Sequence, residues 1–402
     1  MCEPMDSSLA ESAGIAPVKR CLLLSLLAAA ALFAVLSLAG GARQGAIFPY
    51  GEFCDYRMFV LPCMTSESPY SAPAVRRCDA CYPPVAYCAV RALSTDMGTG
   101  WRPSAGELRL LLALLVAQCA GVLFLVRRVR WRGWRLAAAA ALLMSPACVC
   151  TLLRGNPSAW AFAFVCVFLV WYRADSAAKR LAAAVALGVA TSLKIAPCLF
   201  GVLYLADAVS RRRMPWAEIA VSAASALVLI FVPFLFFGGV GEIAQWFSNA
   251  AANAEFYSAD NPLWGVAALA NHIVDSKETA LPCIGGFALA TRVLAAALAV
   301  AAVFARSDCR RILCVGAAMA FLTHHDYGGA YLLPAFIAWL CDERVGRAGV
   351  AALLEAVAWF LVLTPLQIPN PCFAGSLNGI LQNEALFLLL VVAGTGFLRD
   401  PS

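Results

Sequence analysis

The sequence predicts an all-α protein that crosses a membrane many times. Hydrophobic residues make up 62% of its 402 residues and charged residues only 13%, whereas soluble domains carry roughly 25% charge. A soluble fold has too little interior to hide that much apolar surface. The net charge of +6 is carried by short basic clusters between apolar stretches, which sets membrane orientation and does not indicate nucleic-acid binding.

Apolar runs divide the chain into about twelve predicted transmembrane helices. Several are shorter than the ~20 residues that a perpendicular crossing needs, which is tolerated where a helix lines a protein cavity. The first resembles a cleavable signal, but its length favours an uncleaved span. The runs cover 21–40, 108–126, 136–152, 158–172, 181–193, 196–209, 217–237, 281–305, 312–322, 329–341, 349–366 and 380–397.

The basic clusters predict which side of the membrane each loop occupies. They lie at 19–20, 127–135, 173–180, 211–213, 306–311, 344–347 and 399, each after an even-numbered run or before the first. The positive-inside rule therefore places both termini in the cytoplasm, with a tail over 1–20 and one membrane domain over 21–399. The opposite face holds two long loops, 41–103 and 238–281, and collects the turns rich in Asp, His, Asn and Tyr. We expect the functional chemistry on this non-cytoplasmic face.

Seventeen cysteines are present, and five of them fall between Cys54 and Cys88. A bridge such as Cys78–Cys81 or Cys54–Cys63 would form if the first loop faces an oxidising compartment. Zinc is less favoured, because Cys78-Asp-Ala-Cys81 has no obvious second half. Most of the other cysteines lie inside apolar runs, where the residue acts as a small hydrophobe.

Two acidic residues in the first loop are candidate catalytic groups. Glu52 and Asp55 are three residues apart and would share one face of a helix. A carboxylate just above the membrane could take a proton from an attacking hydroxyl. Asp55 could equally cap a helix or pair with Arg57.

Candidate cationic groups lie in other turns of the same face. Lys194 stands in an otherwise apolar stretch just before Pro197, where an ammonium needs an anionic partner such as a phosphate or a carboxylate. Arg154 is similar, although both side chains could instead snorkel to the interface. His324 and His325 are adjacent, which is not metal-ligand spacing, and either could donate to a phosphate or simply face water.

The second long loop contains two amphipathic segments around Glu242–Asn249 and Asn261–Trp264. They indicate short helices at the membrane interface, with Trp246, Phe247 and Trp264 as anchors. A lipid-binding groove is the alternative.

Taken in order, these motifs resemble glycosyltransferase family 87 over roughly residues 20–400. The matching elements are Asp55-Tyr56, Pro69-Tyr70, Tyr82-Pro-Pro84, Gly155-Asn-Pro-Ser158, the stretch from Gly188 to Pro197, and the turn 324–327. The resemblance implies a glycosyltransferase-C fold whose first loop and spans form a cavity away from the cytoplasm. It also implies a bacterial plasma-membrane enzyme that moves a hexose, commonly mannose, from a polyprenyl-phosphate donor to a lipid or glycan acceptor.

The same resemblance implies a set of site residues. Asp55 matches the family's acidic base, with Glu52 as a weaker second acid that leaves a retaining route open. We expect an inverting displacement that uses no cofactor and no metal ion. The phosphate-binding candidates are Lys194, His324, His325, Arg154 and Arg57, and the substrate-binding candidates are Tyr56, Tyr70, Tyr82 and Asn156. A lipid or solute transporter and a surface-glycan ligase or polymerase are the rival functions.

Overall fold

The computed structural model describes most of the chain, and the residues that it describes are helical or irregular, without a β-strand. The described ranges are 16–39, 55–57, 68–71, 80–93, 96, 104–212, 214–256, 277–322, 326–342, 350–365, 386 and 388–391. The predicted all-α class is therefore confirmed for this part of the chain.

From Ala105 to Phe256 the α-helices follow one another with short connections. Shorter 3-10 helices at Val126–Arg128, Ala196–Gly201, Val232–Phe236 and Asp326–Leu332 extend or link them. In chain order the α-helices are α1 Pro17–Ala39, α2 Pro84–Leu93, α3 Ala105–Leu125, α4 Arg132–Leu143, α5 Pro146–Leu153, α6 Ser158–Trp171, α7 Ala177–Leu193, α8 Val202–Arg211, α9 Trp216–Phe231, α10 Gly241–Phe256, α11 Lys277–Phe304, α12 Asp308–Leu322, α13 Leu333–Cys341 and α14 Val350–Leu363.

Three stretches of the described chain are long and apolar enough to cross a membrane by themselves: Pro17–Val35, Ala105–Arg128 and Trp216–Phe236. The run predicted over 136–152 is broken into α4 and α5, which are bent by 52° and could form a fourth crossing as a pair. Shorter apolar helical stretches of 10–17 residues are Pro84–Leu93, Ser158–Trp171, Arg292–Phe304, Gly329–Cys341 and Val350–Leu363. The count of twelve crossings stays a prediction.

Helix α6 is packed between α3 and α7 in the described bundle. Its side chains are apolar on every side, which suits a helix that is covered by neighbours. Glycine allows two of these helix pairs to approach closely. A Cβ atom on Gly121 of α3 would lie 2.7 Å from the Cα atom of Ala163 in α6. One on Gly188 of α7 would lie 2.6 Å from the Cβ atom of Ser225 in α9. Both distances are shorter than real side chains tolerate, so close packing requires glycine here.

Helices α6 and α7 are antiparallel, which divides their polar residues between two ends. Ser158 opens α6 and Lys194 follows the last residue of α7, so these two residues meet at one end. Arg173 follows α6 at the other end. The 14 residues of α6 separate the two ends by about 21 Å at 1.5 Å per residue.

Lys19 shows that a predicted topology signal can also be structural. It lies inside α1 and is buried, with its ammonium donating to the carbonyls of Trp339 at 2.7 Å and Asp342 at 2.6 Å. These carbonyls lie at the C-terminal end of α13, where a cation is favourable. The first helix is therefore fixed to a late one by a buried charge.

Candidate functional site

The turn between α5 and α6 forms the base of the candidate site. Gly155 has a φ of +67°, a left-handed conformation that favours glycine. The Asn156 Oδ1 atom accepts a hydrogen bond of 2.8 Å from the backbone N–H of Ser158, and Pro157 is the N-cap residue of the next helix. This local pattern explains why Gly-Asn-Pro-Ser folds as a tight helix-to-helix turn.

Asp55 is bound to this turn by both its backbone and its side chain. The backbone N–H groups of Asp55 and Tyr56 each donate to the Arg154 carbonyl at 3.1 Å. Arg154 donates to Asp55 Oδ1 from Nε at 3.0 Å and from Nη2 at 2.7 Å. Asn156 Nδ2 donates to Oδ2 at 2.6 Å. The carboxylate is thus held in one orientation by charged and neutral donors.

Both members of this ion pair are enclosed by protein. The Asp55 side chain is 3% exposed and that of Arg154 is 10% exposed. These contacts differ from the predicted alternative of a local ion pair between Asp55 and Arg57. Asp55 pairs instead with Arg154, which lies 99 residues away in the sequence.

Tyr82 brings a phenol to Asn156, the residue that donates to the Asp55 carboxylate. Asn156 Nδ2 also donates to the Tyr82 hydroxyl, at 3.1 Å. The Tyr70 hydroxyl donates to the Tyr82 backbone carbonyl at 2.9 Å, so the second tyrosine supports the first from behind. Of these two predicted substrate-binding tyrosines, Tyr82 therefore contacts the turn and Tyr70 contacts Tyr82.

Lys194 reaches the turn from the end of α7. Its backbone is extended after the last helical residue, and its Nζ atom donates to the Ser158 hydroxyl at 2.9 Å. Burial lowers the pKa of Lys194 to about 7, while the nearby charge of Asp55 acts in the opposite direction. We name Asp55, Tyr82, Arg154, Asn156, Ser158 and Lys194 the outer cluster.

Arg57 and Tyr56 lie in neighbouring contacts that tie the first loop to α3. Arg57 Nε donates to Glu107 at 2.9 Å, and Glu107 completes a capping box with Ser104 at the start of α3. The Tyr56 hydroxyl donates to the Asp96 carbonyl at 2.9 Å. These contacts give Arg57 and Tyr56 a structural task beside the cluster.

Several predicted site residues lie outside the described residues, namely Glu52, His324, His325 and Trp264, together with Cys54, Cys63 and Cys78. The 3-10 helix that follows the two histidines is described, and it packs against α5. A Cβ atom on its Gly329 would lie 3.4 Å from the Cβ atom of Ala147.

The interpretation of Trp246 as an interfacial anchor is wrong. Trp246 is 3% exposed, because its ring packs on Phe234 and its Nε1 donates to the Cys81 carbonyl at 3.0 Å. Phe247, by contrast, is 56% exposed. The sequence analysis also missed Asn249, which lies on the same buried side of α10 and is fully enclosed. A buried asparagine in an amphipathic helix is the signal that could have found it.

No group of three or more His, Cys, Asp or Glu residues in the described part of the chain could hold a metal ion. The expectation of metal-free chemistry stays a prediction.

The comparisons with known proteins confirm the family that the motifs resemble. A family model described as glycosyltransferase family 87 matches residues 80–324, which is more than half of the 402 residues. No curated protein matches the chain. The matched segment contains Tyr82, Arg154, Asn156 and Lys194, and Asp55 precedes it. The fold therefore brings a residue from outside the matched segment into contact with residues inside it.

Proposed function

The chain belongs to glycosyltransferase family 87 and is a membrane glycosyltransferase, and from this premise we propose its substrates and the roles of its residues. The proposed donor is a polyprenyl-phosphate-linked hexose, with mannose as the sugar, and the acceptor is a hydroxyl of a lipid or glycan. The proposed membrane is a bacterial plasma membrane, with both termini cytoplasmic and residues 21–399 acting as one domain.

The observation that carries this proposal is the meeting of a carboxylate and an ammonium on one turn. Asp55 is bound to Arg154 and Asn156. Lys194 is bound to Ser158, which follows Asn156 by two residues in the same turn. Transfer from a phosphate-linked sugar needs both a group that accepts a proton and a cation that receives the leaving phosphate. A buried turn with both charges provides these two functions within one short segment.

We propose an inverting displacement in which every bond change is assigned. The acceptor hydroxyl gives its proton to Asp55, and its oxygen attacks the anomeric carbon of the hexose. The bond from that carbon to the phosphate oxygen breaks, and polyprenyl phosphate leaves with the electron pair. Lys194 stabilises the growing negative charge on the phosphate, which a preorganised cation in a partly dry site does well.

The other residues of the cluster support these two. Arg154 and Asn156 orient Asp55, and the acceptor hydroxyl replaces one of their hydrogen bonds when it binds. Tyr82 lies next to Asn156 and is the proposed sugar-binding residue, with Tyr70 behind it. His324 and His325 remain proposed phosphate ligands and Glu52 a proposed second acid, whereas Arg57 is assigned to its ion pair with Glu107.

The first test is the Asp55→Asn variant in membranes supplied with labelled polyprenyl-phosphate hexose. General base catalysis contributes roughly 10²–10⁴ in rate, so we expect transfer to fall at least about a hundredfold while donor affinity changes little. Asp207→Asn is the matched control, since Asp207 also pairs with arginine but lies beyond the other end of α6. Near-normal transfer by Asp55→Asn would end the assignment of the base.

The second test identifies the donor. Wild-type protein is offered polyprenyl-monophosphate and polyprenyl-pyrophosphate sugars in parallel, and the lipid and glycan products are read by mass spectrometry. We expect transfer from the monophosphate donor alone. Transfer only from a pyrophosphate donor would favour the alternative of a surface-glycan ligase or polymerase.

A further inference from the structure

Helix α10 presents three hydrogen-bonding side chains along one face. Glu242, Trp246 and Asn249 are spaced at i, i+4 and i+7, so they lie on one side of the helix. Each of them contacts the first outer loop, although about 170 residues separate the two segments in the sequence. The opposite side carries the exposed residues Phe247 and Ser248.

The turn before α10 explains how the helix comes to face this loop. Gly238 and Gly239 have φ angles of +79° and +82°, and the Gly239 N–H donates to the Phe234 carbonyl at 2.9 Å. Two consecutive left-handed residues reverse the chain sharply after α9, and glycine adopts that conformation without steric cost.

Asn249 contacts two pieces of the first loop at once. Its Nδ2 atom donates to the Tyr70 carbonyl at 3.1 Å and to the Ala80 carbonyl at 3.2 Å. Its Oδ1 atom accepts a hydrogen bond of 2.9 Å from Gln245 within α10. A single buried amide therefore joins two separate pieces of the first loop, 68–71 and 80–82. Losing such a donor would leave two buried carbonyls unsatisfied, which is costly.

Glu242 and Trp246, on earlier turns of α10, each hold one of the same two pieces. Glu242 accepts hydrogen bonds from Ser68 at 2.6 Å and Ser71 at 2.5 Å. Trp246 donates to the Cys81 carbonyl at 3.0 Å. The residue that follows Cys81 is Tyr82, whose hydroxyl meets Asn156.

We propose that α10 positions the outer cluster, and that Asn249 is a positioning residue for sugar transfer. It acts through the backbone at 80–82, which sets where the Tyr82 phenol lies relative to Asn156 and Asp55. This role rests on the proposed function, because it requires Tyr82 to bind the transferred sugar. A small displacement of a substrate-positioning group can lower the rate by up to about a hundredfold without altering the reacting groups.

The test uses four variants of the full-length protein in detergent or membranes. Asn249→Asp keeps the side-chain volume and removes both N–H donors. Asn249→Gln restores an amide. Trp246→Phe removes one donor while keeping an aromatic ring on Phe234. Ser248→Ala, the exposed neighbour of Asn249, is the matched control.

Two measurements are made on each variant. Hydrogen exchange of the peptide that covers 80–93, read by mass spectrometry, reports how firmly the loop segment is held and does not depend on any substrate. Steady-state transfer from polyprenyl-phosphate mannose gives kcat and KM separately.

We expect Asn249→Asp to speed exchange at 80–82 and to lower kcat on the order of tenfold with a smaller change in KM. Asn249→Gln should recover part of both properties, Trp246→Phe should show the same changes more weakly, and Ser248→Ala should match the wild type. Unchanged exchange in Asn249→Asp and Trp246→Phe would overturn the proposal, and so would faster exchange with unchanged kcat. An inactive wild type would refute the proposed donor alone, and the exchange measurement would still decide whether α10 holds the loop.

Discussion

Arginine–aspartate pairs occur at both ends of α6, in two very different surroundings. At one end, the outer cluster joins Asp55 to Arg154 with side chains that are 3% and 10% exposed. At the other end, Arg173 contacts both Asp207 and Asp308, and Arg211 contacts Asp207 at 3.1 Å. We name these four residues the inner network. Its Arg173 and Asp207 side chains are 22% and 16% exposed, whereas those of Asp308 and Arg211 are 36% and 59% exposed.

The comparison distinguishes the inner network, which joins helix ends by ion pairs, from the outer cluster, which is the candidate reaction site. Water reaches the inner network at Asp308 and Arg211 and screens their charges. The two arginines and two aspartates balance one another at the face predicted to be cytoplasmic. The charges of the outer cluster lie among protein atoms, where an electrostatic contact is stronger and a missing partner is more costly. The outer end also carries a half-buried lysine, Lys194, which donates to Ser158. The same pair of residue types therefore predicts function only when its burial is known.

The largest expected effect contrasts the two arginines. Arg154→Met leaves Asp55 buried without its charged partner, and breaking a buried pair costs about 3–5 kcal/mol. Arg211→Met should cost no more than about 1 kcal/mol, which is typical of exposed pairs, because the Arg211 side chain is 59% exposed. The measurement is the free energy of unfolding in detergent. Equal losses in the two variants would show that burial does not distinguish the two ends.

The next effect tests α7, the helix that leads from the inner end to Lys194. Gly188→Ala would place a Cβ atom 2.6 Å from that of Ser225 and 2.7 Å from the Ser222 carbonyl oxygen. Overpacking of this kind costs about 1–3 kcal/mol. Gly133→Ala in α4 is the matched control, since a Cβ atom there meets nothing within 4 Å. Thermal unfolding should show a lower Tm for Gly188→Ala only, and an unchanged Tm would argue against the close approach of α7 and α9.

A smaller effect concerns the donor phosphate. Lys194→Ala should raise the Kd for a fluorescent polyprenyl-phosphate hexose on the order of tenfold, since a charge-assisted hydrogen bond contributes about 1.5–3 kcal/mol. Lys179→Ala removes an exposed lysine near the start of the same helix and should leave the Kd unchanged. If both variants bind like the wild type, Lys194 is not a phosphate ligand.

The smallest effect is a pH dependence of donor binding. Because the pKa of Lys194 is lowered to about 7, the ammonium is mostly present below neutral pH and is lost as the pH rises. The donor phosphodiester keeps its charge throughout, so affinity should weaken roughly fivefold between about pH 6.5 and pH 8. Lys194→Arg keeps its charge over this range and should flatten the profile. A wild-type profile that is already flat would contradict the lowered pKa.

Local patterns in the sequence predicted more of the fold than of the site. The apolar content required membrane helices, and the runs at 158–172 and 217–237 correspond closely to α6 and α9. The break between α4 and α5 was missed, because Ser145-Pro146 starts a new helix inside one apolar run. Helix α2 was missed as well, since its short apolar face lies within a loop rich in proline and cysteine.

The candidate residues illustrate the same limit. Spacing indicated Glu52 as a second acid beside Asp55 and Arg57 as its possible ion-pair partner. Only neighbours in sequence can be compared without a fold. The contacts of Asp55 are instead with Arg154 and Asn156, about 100 residues away. Trp246 was interpreted as a surface anchor for a similar reason, because an amphipathic helix does not reveal whether lipid or a loop covers its apolar face.

By itself the sequence determined that this is an α-helical membrane glycosyltransferase of family 87, because hydropathy and motif order are local properties that the chain carries wherever it folds. Only the tertiary structure decided which polar residues meet. Partners for a buried charge are chosen by three-dimensional proximity, since desolvation makes an unpaired ion costly and no local pattern specifies which distant residue supplies the partner. That is why the Asp55–Arg154–Asn156 contact, and the contacts of α10 with the first loop, became visible only in the fold.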